Sequence, residues 1–386
     1  MPRESMSHNA QRPVAIQLIS TGGFYGAERT LLELATFLRD QGWDSRIVAL
    51  EGDGAAELIR RAAEQGIHGE AYVPSGRMGV LPMLRRLRAM LAREPRAVVH
   101  SHGYKPDILL AALSVPRRLP CLATCHSWYR ETVKLRALEY IDKRAVRGFD
   151  HVVAVSEEIY RELYASGTPE RKLSRIDNGI SVPLVDAHRK HEIRAGWNLA
   201  PGEKLIVQIG RLAKSKRNAL LLKAVAALPQ GIAARVAFVG DGEERAALAA
   251  YARDIGIGER VIFAGYRRDA PAIMAAADVL AITSNKEGLP IVLLEAMAVG
   301  CPIIATAVGS IPEVLSSESA WMIPVDDDVA LVSALREVLG GEFPAGARTA
   351  EAKALFLRSY ARDVMGRRYL DLYEHAWRAR TMPHVR

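Results

Sequence analysis

The sequence is poor in cysteine and shows no segment typical of export. Three cysteines occur among 386 residues, Cys121, Cys125 and Cys301, which is too few for a disulfide framework. Cys121 and Cys125 have no partners at zinc-ligand spacing, so we interpret all three as buried small residues. Residues 1–12 are polar and lack the apolar core of a signal peptide. These features predict a cytoplasmic protein in a reducing compartment.

A long uninterrupted apolar run is also missing. The stretch 288–308 has the length to span a bilayer, but Pro290, Glu295, Gly300 and Pro302 interrupt it. It is therefore predicted to be a helix, a turn and a strand of a soluble protein. The 49% apolar and 25% charged residues are typical of globular proteins, and the length suits two domains. The net charge of +8 favours anionic partners without choosing among nucleotide, nucleic acid and membrane.

Strand-type and helix-type patterns alternate along the chain. Repeated strand and helix predict two parallel sheets with helices on both faces, whose ligands bind beyond the carboxyl ends of the strands. Residues 181–202 lack a strand pattern and are interpreted as a linker with a short helix. The strands are predicted at 14–19, 45–49, 71–73, 97–101, 121–124, 151–155, 205–209, 236–239, 261–263, 279–283, 303–306 and 321–323.

Two carboxylates flank a predicted helix start in the second half. Glu287 lies in the loop before the helix 291–299, and Glu295 lies just over one turn inside it. The first N–H groups of a helix attract phosphate, whereas carboxylates accept hydrogen bonds from sugar hydroxyls. A ligand with phosphate in its middle and hydroxyls at its ends, such as a nucleotide-sugar, fits this layout. The alternative is a loop glutamate and a solvated one, although an unpaired carboxylate would be costly in so apolar a helix.

Two cations follow the predicted strand 205–209. Arg211 and Lys216 lie in the loop that begins with Gly210, at the carboxyl end of that strand. An arginine fork and a lysine point charge can together neutralise a diphosphate. A solvated basic loop is the alternative interpretation.

In the first half, a glycine-rich loop and histidines follow predicted strands. Gly22 and Gly23 lie between the first strand and the first helix, where glycine lets the backbone approach a ligand closely. Their spacing is not the dinucleotide fingerprint. His102 and His126 both fall just past strand ends, whereas His100 is interpreted as packed inside its strand. A tight turn and ordinary loop histidines are the alternatives.

The segment EGLPIVLLEAMAVGCPIIAT resembles the signature of family 4 (group 1) glycosyltransferases, in which seven residues separate two glutamates. These are retaining enzymes of the GT-B fold. The resemblance implies that Glu295 binds the ribose hydroxyls and that Glu287 contacts the donor sugar. It also implies a donor site that includes the turn residues between them and the helix start, namely Gly288, Leu289, Pro290 and Ile291.

The same family resemblance covers the other motifs. Arg211 and Lys216 match its Gly-Arg-Leu…Lys element, which stabilises the departing nucleoside diphosphate. Arg217 stands where the family commonly has glycine, which leaves the local turn in question. His126 matches the family's histidine near the donor sugar. The first glycine-rich loop is implied to contact the diphosphate and the acceptor.

Two charged patterns have ordinary structural explanations. Asp326 and Asp327 precede Asp328, which we interpret as the N-cap of a helix at 329–339, so no metal and no cofactor are predicted. The helix 80–92 has a basic side that we interpret as a solvated face over a packed one. Contact with an anionic membrane surface carrying a lipid-linked acceptor is the alternative. The basic residues of this region are Arg85, Arg86, Arg88, Arg93, Arg96, Arg117 and Arg118.

These observations predict a GT-B protein with two Rossmann-like, doubly wound parallel-sheet domains facing a cleft. The expected domains are residues 1–182 with about 362–386, and residues 195–361. The predicted activity is metal-independent, retaining transfer of a sugar from a nucleotide-sugar to a hydroxyl acceptor, in polysaccharide, glycolipid or glycoconjugate synthesis, without nucleic acid. A sugar-nucleotide epimerase and a non-catalytic nucleotide-sugar-binding subunit are the alternatives. The residues assigned to catalysis are Arg211, Lys216, His126 and Glu287.

Overall fold

The chain divides into two compact units in the computed structural model, which describes residues 12–50, 54–72, 80–126, 132–341 and 345–381. The first unit contains residues 1–179 and 362–386, and the second contains residues 180–361. The segment 183–194, which the sequence-based division leaves between the domains, belongs to the second unit.

The first unit is built on a seven-stranded parallel sheet with the order β3-β2-β1-β4-β5-β6-β7. Its strands are β1 (Val14–Ser20), β2 (Asp44–Leu50), β3 (His68–Tyr72), β4 (Val98–His102), β5 (Cys121–Cys125), β6 (His151–Ala154) and β7 (Leu173–Arg175). Its first helices are α1 (Gly26–Asp40), α2 (Ala55–Glu64), α3 (Val80–Ala92), α4 (Tyr104–Ala112), α5 (Val133–Ala145) and α6 (Glu157–Ala165).

The second unit has a six-stranded parallel sheet with the order β10-β9-β8-β11-β12-β13. Its strands are β8 (Lys204–Ile209), β9 (Ala234–Val239), β10 (Val261–Gly265), β11 (Val279–Ile282), β12 (Ile303–Thr306) and β13 (Trp321–Ile323). Its helices are α7 (Ala187–Gly196), α8 (Asn218–Ala226), α9 (Arg245–Asp254), α10 (Ala270–Ala276), α11 (Ile291–Val299), α12 (Ile311–Val314), α13 (Asp328–Gly340) and α14 (Ala345–Leu355).

Both faces of the first sheet are covered. In β1, Ala15 packs in one cluster with Leu34 and Leu38 of α1, whereas Ile16 and Leu18 pack in the cluster on the opposite face. Successive side chains of a strand point to opposite faces, so a strand buried on both sides is apolar at nearly every position. This burial explains why the strands give apolar runs in the sequence rather than alternation.

The last helix, α15 (Arg362–Thr381), belongs to the first unit although the whole second unit precedes it in the chain. Tyr369 and Tyr373 are fully buried in the same cluster as Val98 and Leu122 of the sheet. The Tyr373 ring also meets Trp43 edge-on, with ring centroids 5.4 Å apart. α15 therefore completes one face of the first core.

The predictions for β7 and for the start of α13 are wrong. β7 was missed, because a three-residue edge strand with one buried side chain is too short to show a period. The cap of α13 is Asp327, whose carboxylate accepts the Ala330 N–H at 2.8 Å. Asp328 is instead the first helical residue and pairs with Lys223. Adjacent aspartates offer the same chemistry to a helix start, so the sequence cannot choose between them.

The chain order reverses once in each sheet, between β1 and β4 and between β8 and β11. Ligands of doubly wound sheets bind outside the carboxyl ends of the strands at such points. The loop with Gly22 and Gly23 follows β1, whereas the loops with Lys216 and Glu287 follow β8 and β11. Among the helices in the described part of the chain, none is long and apolar enough to cross a membrane.

Candidate active site

In the second unit, the loops after β8 and β11 are joined by hydrogen bonds. Gln208 Nε2 donates to the carbonyl of Lys216 and to Thr283 Oγ1, both at 3.0 Å. Thr283 Oγ1 in turn donates to the Lys216 carbonyl at 2.8 Å, and the Asn285 N–H donates to the Ser215 carbonyl at 3.0 Å. Gln208 and Thr283 are buried, so these bonds are shielded from water. They hold the backbone of Lys216 against the end of β11.

Lys216 and Glu287 form an ion pair at this junction. The Lys216 Nζ lies 2.5 Å from Glu287 Oε1, and Ser284 Oγ donates to the same oxygen at 2.6 Å. The Glu287 side chain is only 9% exposed. A largely buried carboxylate of this kind needs a cation and a hydrogen-bond donor, and it has both. The structure thus brings together two residues that the sequence assigned to separate parts of one ligand.

Gly309 is a residue that the sequence analysis did not single out. It has a left-handed φ of +55°, and a Cβ atom there would lie 1.9 Å from the Glu287 carbonyl oxygen. No side chain fits so close to a backbone atom, so glycine is required at this position. The loop after β12 therefore supports the backbone that carries Glu287.

The helix α11 begins directly after the loop that carries Glu287. Pro290 is its N-cap, and the Leu293 N–H donates to the Pro290 carbonyl at 3.0 Å. Glu295 is 4% exposed, which rejects the alternative of a solvated glutamate. Leu289 and Ile291 pack against the apolar core, whereas Gly288 is exposed. The helix start is thus fixed by packing on one side.

Arg211 lies at the surface, unlike Lys216. Its side chain is 67% exposed, and its guanidinium lies 3.8 Å from the carboxylate of Glu243, which is also exposed. An exposed pair at that distance adds little stability. Gly210, just before it, lies against Lys216, since a Cβ atom there would be 3.8 Å from Lys216 Cε.

Arg217 occupies the position where the family commonly has glycine, and it adopts the conformation that a glycine would. Its backbone is left-handed, with φ of 52° and ψ of 39°. Its Nε donates to Asp326 Oδ1 at 2.6 Å, and Asp326 also has a positive φ, of 60°. The left-handed turn is therefore formed with an arginine at this position, and the Arg217 side chain is bonded to Asp326.

In the first unit, the glycine-rich loop packs closely on itself. A Cβ atom on Gly23 would lie 2.3 Å from the Tyr25 ring, whereas Gly22 has open space around its Cα among the described residues. The Tyr25 N–H donates to Glu28 Oε2 at 2.9 Å and so caps the start of α1. A side chain at Gly23 would therefore displace the exposed Tyr25 ring, whereas Gly22 leaves the backbone accessible.

Three histidines lie together at the ends of β4 and β5. His100 is fully buried, as predicted, and bonds the Tyr373 hydroxyl at 2.9 Å and Thr124 Oγ1 at 2.8 Å. His102 is the last residue of β4 and buried, so its predicted place beyond the strand is wrong. His126 is half-buried after β5. Burial lowers the pKa of His100 to about 3 and that of His126 to about 4, so both are neutral at physiological pH.

One group of three possible metal ligands occurs in the described part of the chain. The ligand atoms of Asp107, Cys125 and Asp142 lie within 4.8 Å of one another, and all three residues are buried. Burial raises the pKa of Asp107 and of Cys125 well above their usual values, whereas a metal needs deprotonated ligands. Ser101 also donates to Asp107. Burial thus favours the protonated forms of Asp107 and Cys125.

Two family models match the chain, and together they span most of it. The model of glycosyl transferases group 1 matches residues 189–354, and that of glycosyltransferase family 4 matches residues 24–182. The chain belongs to the group 1, family 4 glycosyltransferases. In this glycosyltransferase the first model spans the second-unit candidates from Gly210 to Glu295. The other model spans His126 but begins after Gly22 and Gly23.

Individual relatives of this glycosyltransferase agree with the models. N-acetyl-alpha-D-glucosaminyl L-malate synthase of Bacillus anthracis is 25% identical over 267 residues, covering 68% of this chain and 70% of that protein. The lipopolysaccharide core biosynthesis glycosyltransferase LpsE of Rhizobium meliloti is 25% identical over 350 residues, covering 90% and 95%. The crystal structure of Anabaena HepE in complex with UDP-glucose has a TM-score of 0.81 at 20% identity, covering 94% and 99%. The GT-B fold predicted from the sequence is thereby confirmed.

Proposed function

We propose that this glycosyltransferase moves a sugar from a nucleotide-sugar to a hydroxyl acceptor with retention at the anomeric carbon and without a metal ion. The observation that carries the proposal is the contact between Lys216 and Glu287 at the carboxyl ends of β8 and β11, one turn before α11 begins. A cation and a helix start suit a diphosphate, and a carboxylate suits sugar hydroxyls. These groups are adjacent in the protein as the diphosphate and the sugar are adjacent in the donor.

The buried Glu295 is proposed to hold the ribose end of the donor, on the far side of the helix start from Glu287. The complex of the similar protein HepE with UDP-glucose supports a nucleotide-sugar as donor. The description of the relative LpsE supports an acceptor that belongs to an envelope glycan. In the first unit, Gly22 and Gly23 are proposed to contact the diphosphate and the acceptor, and His126 is proposed to bond the donor sugar.

In the proposed mechanism, the bond between the anomeric carbon and the phosphate oxygen breaks as the acceptor oxygen bonds to the same face of that carbon. The acceptor proton passes to the departing phosphate. Lys216, Arg211 and the N–H groups at the start of α11 compensate the charge that develops on the diphosphate, and such preorganised donors usually supply the largest catalytic contribution. Glu287 is tied to Lys216 and Ser284, so it positions the cation and the sugar rather than attacking the anomeric carbon.

A lipid-linked acceptor would bring the first unit to an anionic membrane, and α5 presents a suitable surface. Val133, Tyr140 and Ile141 are exposed on it, and Arg144 lies over the Tyr140 ring at 3.5 Å. Apolar and aromatic side chains among cations are typical of helices that lie in the interface of an anionic bilayer. On α3, Met83, Leu87 and Leu91 are buried, which confirms a packed face beneath its arginines. The exposed cations of α5 are Lys134, Arg136 and Arg144.

The test of the membrane contact is co-sedimentation with vesicles of phosphatidylglycerol and phosphatidylcholine, compared with phosphatidylcholine alone. The double variant Tyr140→Ser, Ile141→Ser should lose binding to the anionic vesicles. Tyr164→Ser on α6 is the matched control, because Tyr164 is about as exposed as Tyr140. Equal binding of all three proteins would reject α5 as the contact.

The test of the main proposal is release of nucleoside diphosphate from a panel of nucleotide-sugars, with and without hydroxyl acceptors. Lys216→Ala should lower transfer by roughly 100-fold to 1,000-fold. Lys214→Ala changes an exposed lysine of the same turn and should leave the rate unchanged. Acceptor-independent conversion of the sugar would favour an epimerase, and donor binding without turnover would favour a non-catalytic subunit. NMR of the product gives the anomeric configuration, and an inverted product would contradict retention.

The metal-independent part of the proposal has its own test. Transfer should persist in excess chelator, because protein cations and a helix start are assigned to the diphosphate. Loss of activity in chelator that a divalent ion restores would contradict it.

A further inference from the structure

Two histidine rings meet at the ends of neighbouring strands in the first unit. His102 ends β4 and is buried, and His126 follows β5. The Nδ1 atom of His102 lies 3.3 Å from the Nε2 atom of His126, and the two rings are stacked with centroids 5.5 Å apart. Burial lowers the pKa of both rings, so both are neutral. One ring must therefore donate its single N–H to the other.

The second nitrogen of His102 decides which ring donates. Its Nε2 is buried and has no hydrogen-bond partner among the residues that the structure describes. If His126 donated, the proton of His102 would lie on Nε2, as a buried N–H with no acceptor among the described residues. If His102 donates through Nδ1, only a lone pair is left there. Buried N–H groups without partners are the rarer and costlier case, so His102 is the donor.

The His102 ring packs against the ring of His100. The His100 ring lies 4.2 Å from it between centroids, tilted by 36°. His100 is itself fixed by hydrogen bonds to Tyr373 on α15 and Thr124 on β5. These contacts come from a sheet and a packed helix, so the His102 N–H has a defined direction.

We propose that His102 is a positioning residue that holds His126 as the neutral tautomer with its proton on Nδ1. His126 then meets its ligand as a hydrogen-bond donor. It selects an oxygen with a free lone pair, such as a sugar hydroxyl or carbonyl oxygen, and disfavours a protonated amine at that position. The sugar contact rests on the proposed function, whereas the tautomer of His126 does not.

The test is ring ¹⁵N NMR of the full chain labelled at histidine, with the His126 signals assigned by their loss in His126→Asn. In the wild type, His126 should show a protonated Nδ1 and an unprotonated, hydrogen-bonded Nε2. His102→Leu removes the donor, and His102→Asn keeps an N–H near the position of Nδ1 on a smaller side chain. The leucine variant should shift His126 toward a mixture of tautomers, and the asparagine variant should restore the wild-type pattern.

Activity gives a second readout. The KM for the nucleotide-sugar should rise about fivefold to tenfold in His102→Leu and remain near the wild-type value in His102→Asn, with both variants checked for a normal melting temperature. An unchanged His126 spectrum in His102→Leu overturns the proposal whatever the activity. An altered spectrum together with full transfer by His126→Asn supports the positioning by His102 and contradicts the sugar contact of the proposed function instead.

Discussion

Arg217 and Asp326 are bonded to each other while both have left-handed backbones, with φ of 52° and 60° and 2.6 Å between Nε and Oδ1. A side chain in this region costs roughly 1–2 kcal/mol relative to glycine. The ion pair is exposed and offsets only part of that cost. The turn that carries Lys216 is thus kept in a shape that its own sequence disfavours.

Arg217→Gly should be more stable than Arg217→Ala by about 1 kcal/mol, because both lose the ion pair but only glycine relieves the backbone. This order is the reverse of that in a helix interior. Urea denaturation followed by circular dichroism measures the difference. An alanine variant as stable as the glycine variant would show that the turn is not strained.

Lys216 and Arg211 should differ in their effect on stability. Lys216→Ala leaves the largely buried Glu287 without its cation and should lower the free energy of unfolding by roughly 1–3 kcal/mol, besides lowering turnover. Arg211→Ala removes an exposed side chain and should change turnover alone. Thermal denaturation and initial rates on the same samples separate the two effects. Equal melting temperatures for both variants would contradict a structural role of the Lys216 pair.

The two glutamates should report on opposite ends of the donor. Glu295→Gln should weaken the binding of free nucleoside diphosphate about as much as that of the nucleotide-sugar. The expected loss of binding free energy is roughly 1.5–3 kcal/mol, for one charged hydrogen bond. Glu287→Gln should leave the affinity for nucleoside diphosphate nearly unchanged, and it should lower the affinity for the nucleotide-sugar or slow transfer. Calorimetric titration of both ligands measures this. The opposite pattern would reverse the placement of the donor along α11.

Gly309→Ala should displace the backbone of Glu287, although Gly309 lies in a different loop. The added Cβ would lie 1.9 Å from the Glu287 carbonyl at a left-handed φ, so the loop must move. We expect transfer to fall more than tenfold and the free energy of unfolding to fall by about 2 kcal/mol. Gly196→Ala is the matched control, because a Cβ there meets open space at the end of α7. A fully active Gly309→Ala would remove this loop from the site.

The contribution of the buried histidines to stability should fall in mild acid. Burial lowers the pKa of His100 to about 3 and that of His126 to about 4, from 6.5. Between these values the unfolded chain binds more protons than the folded chain, so the free energy of unfolding rises with pH. The histidine contribution to the free energy of unfolding is complete above about pH 6.5. It is lost as the pH falls toward 4, by up to ~1.4 kcal/mol per pH unit for each histidine. Urea midpoints at pH 7, 6 and 5 in the wild type and in His100→Asn separate this contribution from that of Asp107, whose raised pKa acts in the opposite direction, and identical pH profiles of the two proteins would contradict it. His100→Asn should flatten the slope.

The sequence predicts the order of elements because strands buried on both faces leave long apolar runs, which even short strands such as β11 and β12 show. It also places Lys216 and Glu287 after strand ends. Their contact could not be predicted, because 71 positions separate them and the pairing of β8 with β11 decides it. Adjacent aspartates before α13 could not be ranked, and β7 was too short to detect. The support from Gly309 and His102 depends on backbone approach and ring orientation, for which one sequence has no signal.

The position of α15 has a consequence for synthesis of the chain. Tyr369 and Tyr373 fill the first core, yet they are translated after all of residues 180–361. N-terminal domains usually fold first on the ribosome, but the first unit cannot fold completely until the second unit has been translated. The whole sequence of the second unit is translated earlier. At that stage the face of the first sheet formed by β4 and β5 is not yet covered by α15. A nascent chain that stalls before residue 362 would expose that apolar face to chaperones and proteases.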